Sequence, residues 1–390
     1  MSKRCVFIVL DSIGCGELPD AHLFNDLGSH TIGHIAEKMG DFNIPNLLNQ
    51  GLGNIEGIPQ LKGVQNPVAN YGRMVEVAIG KDTATGHWEF VGCVPDEPFK
   101  TFMESGFPDD ILDEFIEKTG CGGVLGNLAV SGTVIIKELG EEHMRTKKPI
   151  VYTSADPVFQ IAAHESVIPI ETLYEWCKIA YDIVIPRGLS RVIARPFIGD
   201  FPDFKRTYNR HDFTFPPPKE TVLDRLADAG VRVTGIGKIP SIYANRGISD
   251  DIHTGGNDDG VQKTLDCIAD RNGLIFTNLV DFDSLYGHRR NPIGYGKAIE
   301  RFDSQLPSIV EALDDGDLLI ISADHGNDPT YRGTDHTREY VPLLTMVKGG
   351  PQGQNLGTRS TFADIGATIG EFFDVEWKIG SSFLDSISSE

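Results

Sequence analysis

The chain carries no paired-cysteine motif, no Walker-type phosphate loop and no apolar run long enough to enter a bilayer. Its six cysteines (5, 15, 93, 121, 177 and 267) are scattered without a C-x-x-C pair. That argues against a disulfide scaffold and for reduced, mostly buried thiols. The pattern G-x-x-x-x-G-K-[ST] is absent, so P-loop nucleotide chemistry has no support. The apolar run Cys5–Leu10 stops at Asp11, too early for a secretory signal core or a membrane span. A cytoplasmic location is the expectation. Basic residues are also scarce, with 35 Lys and Arg against 56 Asp and Glu, a net charge of -21. Such a surface repels nucleic acid and anionic membranes, and neither is an expected partner.

What is present is ordinary for a globular chain of two domains. The 390 residues are 40% hydrophobic and 23% charged, and none of the sequence is low-complexity. Short β-rich apolar runs occur at Cys5–Leu10, Val231–Ile236, Leu274–Leu279, Leu318–Ser322 and Leu343–Val347, each bounded by Gly, Pro or Asp. Helix-period segments lie between or after them: Lys219–Ala229 ending at Gly230, Gly260–Asp270 and Thr361–Phe373. Strands alternating with helices predict an α/β fold with a largely parallel sheet. The middle differs. It holds helical patterns at Asp109–Lys118 and Ile170–Tyr181, strand-like pieces at Ile150–Thr153 and Val192–Ala194, and prolines at its margins (Pro95, Pro98, Pro216–Pro218). Prolines stop both helices and ladders, as a domain junction requires. The expected organisation is a core of residues 1–95 and 216–390 interrupted by an inserted domain, 96–215.

Three of the core runs end in acid. Cys5–Leu10 reaches Asp11, Leu274–Val280 reaches Asp281 and Asp283, and Leu318–Ser322 reaches Asp324 and His325. Ligands of open α/β sheets bind beyond the carboxyl ends of the strands, where such groups converge. Converging carboxylates repel unless a cation joins them. His288, five residues after Asp283, and His336, in GTDHTRE, extend the set. Aspartate oxygen with histidine nitrogen suits Zn²⁺ or Mn²⁺. Six such groups exceed one tetrahedral site and fit a two-metal centre able to clamp both oxygens of a transferring phosphoryl group. Each residue alone has a plainer reading: Asp11, Asp281 and Asp283 as turn or helix caps, His288 and His336 as ordinary histidines. The joint pattern carries the argument. The segment Gly80-Lys81-Asp82-Thr83-Ala84-Thr85-Gly86 offers two hydroxyls where a helix would open, a place that favours anions. Thr83 or Thr85 is a candidate covalent carrier of the phosphoryl group, its hydroxyl activated by a metal.

These residues fall within stretches that resemble the phosphopentomutases (phosphodeoxyribomutases) of the alkaline-phosphatase superfamily, over essentially the whole chain. The matching stretches are VLDSIGCGELPDA (9–21), GKDTATGHWE (80–89), YTSADPVFQIAAHE (152–165), RVIARPF (191–197), RTYNRHDF (206–213), TNLVDFDSLYGHRRNP (277–292) and ADHGNDPTYRGTDHTREYVPLL (323–344). The resemblance implies an alkaline-phosphatase-like core, helices on both faces of its sheet, with an inserted smaller α+β cap. It implies two Mn²⁺ ions, one held by Asp283, His288 and His336, the other by Asp11, Asp324, His325 and the Thr83 oxygen. Thr83 would be the phosphorylated residue, with Thr85 as the alternative, and a sugar bisphosphate such as glucose 1,6-bisphosphate would prime it. The implied reaction interconverts ribose 1-phosphate and ribose 5-phosphate, and their 2-deoxy analogues, through a 1,5-bisphosphate, linking nucleoside catabolism to pentose phosphate metabolism. Arg191, Arg195, Arg206, Arg210 and Lys238 are candidates for the non-transferring phosphate, since arginine grips phosphate bidentately. The resemblance favours Arg191, Arg206 and Lys238. Ser154, Asp156 and Gln160 are candidates for the sugar hydroxyls. The rival readings are a metal-dependent phosphatase or phosphoglycerate mutase on the same fold, and a non-catalytic metal-binding module.

Overall fold

The computed structural model describes residues 3–388 apart from residue 155. The chain divides into two compact units, Met1–Asp96 with Pro216–Glu390, and Glu97–Phe215. Strands β1 (Arg4–Leu10) and β2 (Asn70–Met74) belong to the first unit. Strands β3 (Leu125–Ala129), β4 (Ile150–Thr153), β5 (Val158–His164), β6 (Arg191–Ile198), β7 (Lys205–Arg206) and β8 (His211–Thr214) build the second. The chain then returns to the first with β9 (Val233–Ile236), β10 (Asp250–Ile252), β11 (Gly273–Leu279), β12 (Leu318–Ser322), β13 (Val341–Val347) and β14 (Asn355–Arg359).

The first unit is one sheet in the order β10-β9-β11-β1-β12-β13-β2-β14. β1 lies at its centre, parallel to β11 on one side and β12 on the other. Every residue of these three strands is buried. Strands covered on both faces need apolar side chains at every position, which is why they read as unbroken runs rather than alternations. The sheet is not wholly parallel, because β13 runs antiparallel to both β12 and β2. β2 alternates buried and half-buried positions and β14 is largely exposed, so neither produces an apolar run.

The helices fall close to the sequence-predicted spans. The expected Lys219–Ala229 segment is helical over Val222–Asp228, opened by a capping box between Thr221 and Asp224. Gly230 follows with a positive φ of 75°, the left-handed stop that glycine favours. The other two span Asn257–Asp270 and Ala363–Phe372. The Thr83–Phe90 helix is pinned to the sheet centre by aromatics. Phe90 packs edge-on to Phe7 at 5.1 Å, and Phe7 stacks on Phe276 at 4.6 Å. Such pairs add about 0.5–1.5 kcal/mol each beyond area burial.

The two points at which the first unit is interrupted lie together. Lys219 Nζ donates to the Val94 carbonyl at 2.9 Å and to Asp96 at 2.6 Å, and the Val222 amide donates to the Val91 carbonyl at 3.0 Å. The second unit is a sheet in the order β3-β4-β5-β6-β7, with β8 also on β6. One face packs Val151, Phe159, Ile161 and Val192 against the Asp109–Thr119 and Ile170–Val184 helices. The other packs Ile150, Tyr152, Ala162 and Phe197 against the Gly132–Thr146 helix. All six cysteines are free. Among the described residues no helix is long and apolar enough to cross a membrane.

Candidate metal centre

The register of the central strands sets the site. Leu10 stands beside Leu279 and Val9 beside Ser322. The chain therefore leaves β1 at Asp11, β12 at Asp324 and His325, and β11 toward Asp283, all at adjacent carboxyl ends. Two sets of buried side chains bring ligand atoms within 4.8 Å of one another: Asp11 with Asp324 and His325, and Asp283 with His325 and His336. His288 joins the second set, its Nε2 lying 3.1 Å from Asp283 and 3.1 Å from His336 Nε2.

The five-residue spacing of Asp283 and His288 has a local cause. Phe282–Gly287 winds as a π-helix, and the His288 amide donates to the Asp283 carbonyl at 3.0 Å. The wider turn brings positions five apart onto one side, where an α-helix would splay them. Single π-turns recur at functional sites for such reasons.

Each histidine is oriented from behind. Nδ1 of His336 meets the Lys81 carbonyl at 2.6 Å, that of His288 the Thr334 carbonyl at 2.7 Å, and that of His325 the Gly326 carbonyl at 3.1 Å. A carbonyl only accepts, so Nδ1 carries a hydrogen, and a ring whose Nε2 has given up its own proton turns that lone pair into the cluster. That is the arrangement of metal-bound imidazoles. Asp11 and Asp324 are supported likewise, with Asn278 donating to Asp11 at 3.0 Å and the Ser12 amide to Asp324 at 3.0 Å. Their other oxygens, Asp11 Oδ1 and Asp324 Oδ2, are buried with no hydrogen-bond partner, although His325 Nε2 stands 3.6 and 3.2 Å from them. Close approach without hydrogen bonding is what ligands of a shared cation display. The donor set and these orphaned oxygens fit divalent metal ions.

The electrostatics agree. Burial, then the neighbouring Asp324 carboxylate, push the Asp11 carboxyl up to about 6. Burial would also raise Asp283 and Asp324, but the histidines outweigh it and hold both well down: His336 and His288 for Asp283, His325 and His87 for Asp324. Burial would lower His325, and Asp324 and Asp11 reverse that and keep it protonated. Without metal, Asp11 thus retains its proton until pH passes about 6, while its unfolded counterpart loses it near 3.8. A metal held by Asp11 and His325 would expel their protons, so apparent affinity is expected to fall as pH drops through 6. The loss is about tenfold per displaced proton for each pH unit below a group's pKa. Metal titration calorimetry at pH 5 and pH 8, in buffers of different ionisation enthalpy, reads both the affinity and the proton release. Equal affinity at both values would contradict this assignment.

The two threonines separate cleanly. Asp82 caps the Thr83–Phe90 helix, accepting from the amides of Ala84 and Thr85. Thr85 is buried, and its hydroxyl bonds the Asp82 carbonyl and carboxylate, each at 3.0 Å. Thr83 is half-buried, and its hydroxyl lies 3.2 Å from His325 Nε2. The helix approaches the strand end that carries Asp324 closely because residue 86 is glycine: a Cβ there would stand 2.1 Å from the Asp324 carbonyl oxygen. Lys238 follows β9 and acts electrostatically on Asp11. Ser154, Asp156, Gln160, Arg191, Arg195, Arg206 and Arg210 all lie in the second unit.

Sequence reasoning passed over several supporting groups. His87 is buried with Nδ1 at 2.9 Å from the Thr83 carbonyl and 3.1 Å from Asp324. Asn327 donates to Asp283 at 2.7 Å. Buried Arg338 donates to the carbonyls of Glu76, Ala78 and Gly80 and to the carboxylates of Glu76 and Asp20, fixing the loop that leads to Thr83. The signal for His87 was its four-residue spacing from Thr83 on one helix face. Nothing in spacing singles out Asn327 or Arg338.

Comparison with known proteins gives a consistent result. The family model described as the metalloenzyme superfamily matches residues 3–377. A phosphopentomutase from Anaeromyxobacter sp. is 52% identical over 390 residues, covering 100% of both chains. One from Carboxydothermus hydrogenoformans is 54% identical over 387 residues, covering 99% of each. Among solved structures, the PH0037 protein from Pyrococcus horikoshii superposes with a TM-score of 0.50 at 15% identity, covering 97% of this chain and 100% of that one, a likeness of fold.

Proposed function

The chain belongs to the metalloenzyme superfamily within the alkaline-phosphatase superfamily, and there to the phosphopentomutases; from that premise we propose that it interconverts α-D-ribose 1-phosphate and D-ribose 5-phosphate, with their 2-deoxy analogues, through a phosphorylated Thr83. In this reading phospho-Thr83 gives its phosphoryl group to the free hydroxyl of the bound pentose phosphate. The P–O bond to Thr83 breaks, a new P–O bond to the sugar forms, and the sugar hydroxyl's proton passes to the departing Thr83 oxygen, restoring its hydroxyl. The resulting 1,5-bisphosphate presents its other phosphate to the Thr83 oxygen, which takes it and releases the isomer. A sugar bisphosphate such as glucose 1,6-bisphosphate primes the resting enzyme by phosphorylating Thr83.

The observation that carries this reading is the Thr83 hydroxyl at a helix N-terminus, 3.2 Å from a histidine of the carboxylate–histidine cluster. Two divalent ions, Mn²⁺ in this proposal, held by Asp11, Asp324, His325 and Thr83 and by Asp283, His288 and His336, would supply Lewis acidity and neutralise developing charge. Asp82 fixes the helix start so that Thr83 alone faces the cluster, His87 holds the Thr83 carbonyl, and the three Nδ1–carbonyl bonds keep the imidazoles in register. Lys238 adds positive charge near Asp11. Ser154, Asp156, Arg191 and Arg206 are proposed to contact substrate. The free cysteines suit a reducing, cytoplasmic setting.

The test is product analysis. Ribose 1-phosphate with Mn²⁺ and a priming bisphosphate, followed by phosphorus NMR, should yield ribose 5-phosphate with little inorganic phosphate. Steady phosphate release without isomerisation would make the protein a phosphatase and end the mutase reading.

A further inference from the structure

The backbone is strained just beyond the end of β1. Ser12 has a φ of 72°, in the left-handed region that residues with a Cβ seldom enter. The Ile13 amide donates to the Leu10 carbonyl at 3.1 Å, closing a turn whose third residue is Ser12. Turns with a positive φ at that position ordinarily place glycine or asparagine there. Several other non-glycine residues adopt a positive φ, but among the described residues Ser12 alone of them is buried. Strain of this kind persists where the surrounding structure holds it in place, and it gathers at functional sites.

All three polar groups of Ser12 lead into the ligand cluster. Its amide donates to Asp324 at 3.0 Å. Its carbonyl accepts from the Asn327 amide at 3.1 Å, and the Asn327 side chain donates to Asp283 at 2.7 Å. Its hydroxyl lies 2.8 Å from the Tyr295 hydroxyl, which in turn donates to the Asp11 carbonyl at 3.4 Å. A carbonyl supplies no hydrogen, so the tyrosine proton points to Asp11 and the serine proton to the tyrosine oxygen.

Tyr295 carries the link to the other half of the cluster. It is fully buried on the Pro292–Ala312 helix. Its ring stacks on Phe282 at 5.9 Å, and Phe282 immediately precedes Asp283. Ser12 and Tyr295 thus stand between Asp11 and Asp324, which follow β1 and β12, and Asp283, which sits in the π-turn after β11. Glycine at position 12 would adopt the same φ without strain, but it would sever the hydroxyl link. The side chain therefore has a use that the turn alone does not require.

We infer that Ser12 is a positioning residue for the metal centre, fixing Asp11 and Asp324 relative to Asp283 through Tyr295 and Asn327. The inference rests on the two-metal reading above. The Ser12 hydroxyl faces Tyr295, so it acts through the carboxylates and is not itself a ligand. Groups that stand behind metal ligands hold them in the arrangement an ion needs, and losing one costs about 10–100-fold in metal affinity.

The test is Mn²⁺ titration of the full-length chain by calorimetry, using Ser12→Gly, Ser12→Ala, Tyr295→Phe and the double variant Ser12→Ala with Tyr295→Phe. Each single variant should weaken Mn²⁺ binding by about tenfold or more. The double variant should bind no worse than Tyr295→Phe alone, because both changes break the same bond. Ser12→Gly decides between hydroxyl and turn. If the turn needs only its φ, glycine will bind Mn²⁺ as wild type does, and the inference is overturned. A double variant weakened by about a hundredfold, the product of two independent effects, overturns the link through Tyr295. Scanning calorimetry of the chelated proteins reads the fold separately: Ser12→Gly should melt no lower than Ser12→Ala, which keeps the strain without the hydroxyl. Should the Ser12 variants fold poorly, Tyr295→Phe keeps the ring packing, and an unchanged Mn²⁺ affinity there overturns the inference. Wild type that takes up no Mn²⁺ would end the metal reading itself, whereas variants that bind as well as a metal-binding wild type end only the role of Ser12.

Discussion

Thr83→Ala is expected to abolish pentose phosphate isomerisation while leaving the fold intact. Alanine is a favourable helix residue, and the Asp82 cap accepts from the amides of residues 84 and 85 rather than from residue 83. A half-buried side chain with one polar neighbour contributes little to packing, so stability should stay within about 0.5 kcal/mol of wild type. Activity should fall by at least about 10⁴-fold, as when a member of a concerted catalytic unit is removed. Thr85 cannot take over, because its hydroxyl is already spent on Asp82 inside the helix. Mass mapping of the tryptic peptide Asp82–Lys100 after incubation with a sugar bisphosphate should place one phosphate on Thr83. Wild-type-like turnover in the alanine variant, or a phosphate found on Thr85, would remove Thr83 from the mechanism.

Stripping divalent metal is the second large effect, and it should register in stability as well as in rate. Asp11, Asp283 and Asp324 are all buried within one cluster, so without metal their charges must be offset by bound protons, by the histidines and, at Asp11, by Lys238. Metal present at about a thousand times its Kd stabilises by about 4 kcal/mol. For a domain of this size that is a shift in Tm on the order of 5–10 °C. Chelation should therefore lower Tm by that amount and cut turnover by at least about 10³-fold, with both restored by Mn²⁺. A protein whose Tm is indifferent to chelator, measured by differential scanning calorimetry, would not hold metal in this cluster.

The sheet and the cluster differ in how far the sequence discloses them. β1, β11 and β12 announce themselves because burial on both faces forbids polar positions, and their acidic ends mark where the chain turns away from the sheet. β2 and β14 do not, since one alternates and the other lies open to solvent. Antiparallel β13 is visible as an apolar run, but its direction is not, because composition carries no sense of polarity along a strand. Among the candidate ligands, residues adjacent to strand ends could be grouped by topology. His288 could not be tied to Asp283 on geometric grounds, since the π-turn that joins them has no sequence signature. The choice between Thr83 and Thr85 also required coordinates, because it depends on which hydroxyl the Asp82 cap consumes.

The bridge from Lys219 to Val94 and Asp96 has a consequence for how this architecture tolerates change. Where the chain leaves the central sheet and where it re-enters are held by bonds within that unit alone. The excursion between them is, to the sheet, a closed loop of arbitrary length. Such a seam accepts deletion, replacement or enlargement of everything that passes through it without disturbing strand register, as sites with neighbouring ends generally do. The scaffold can thus hold its ion-binding chemistry constant while the excursion is exchanged, so that what varies between proteins built this way is the company the chemistry keeps rather than the chemistry itself.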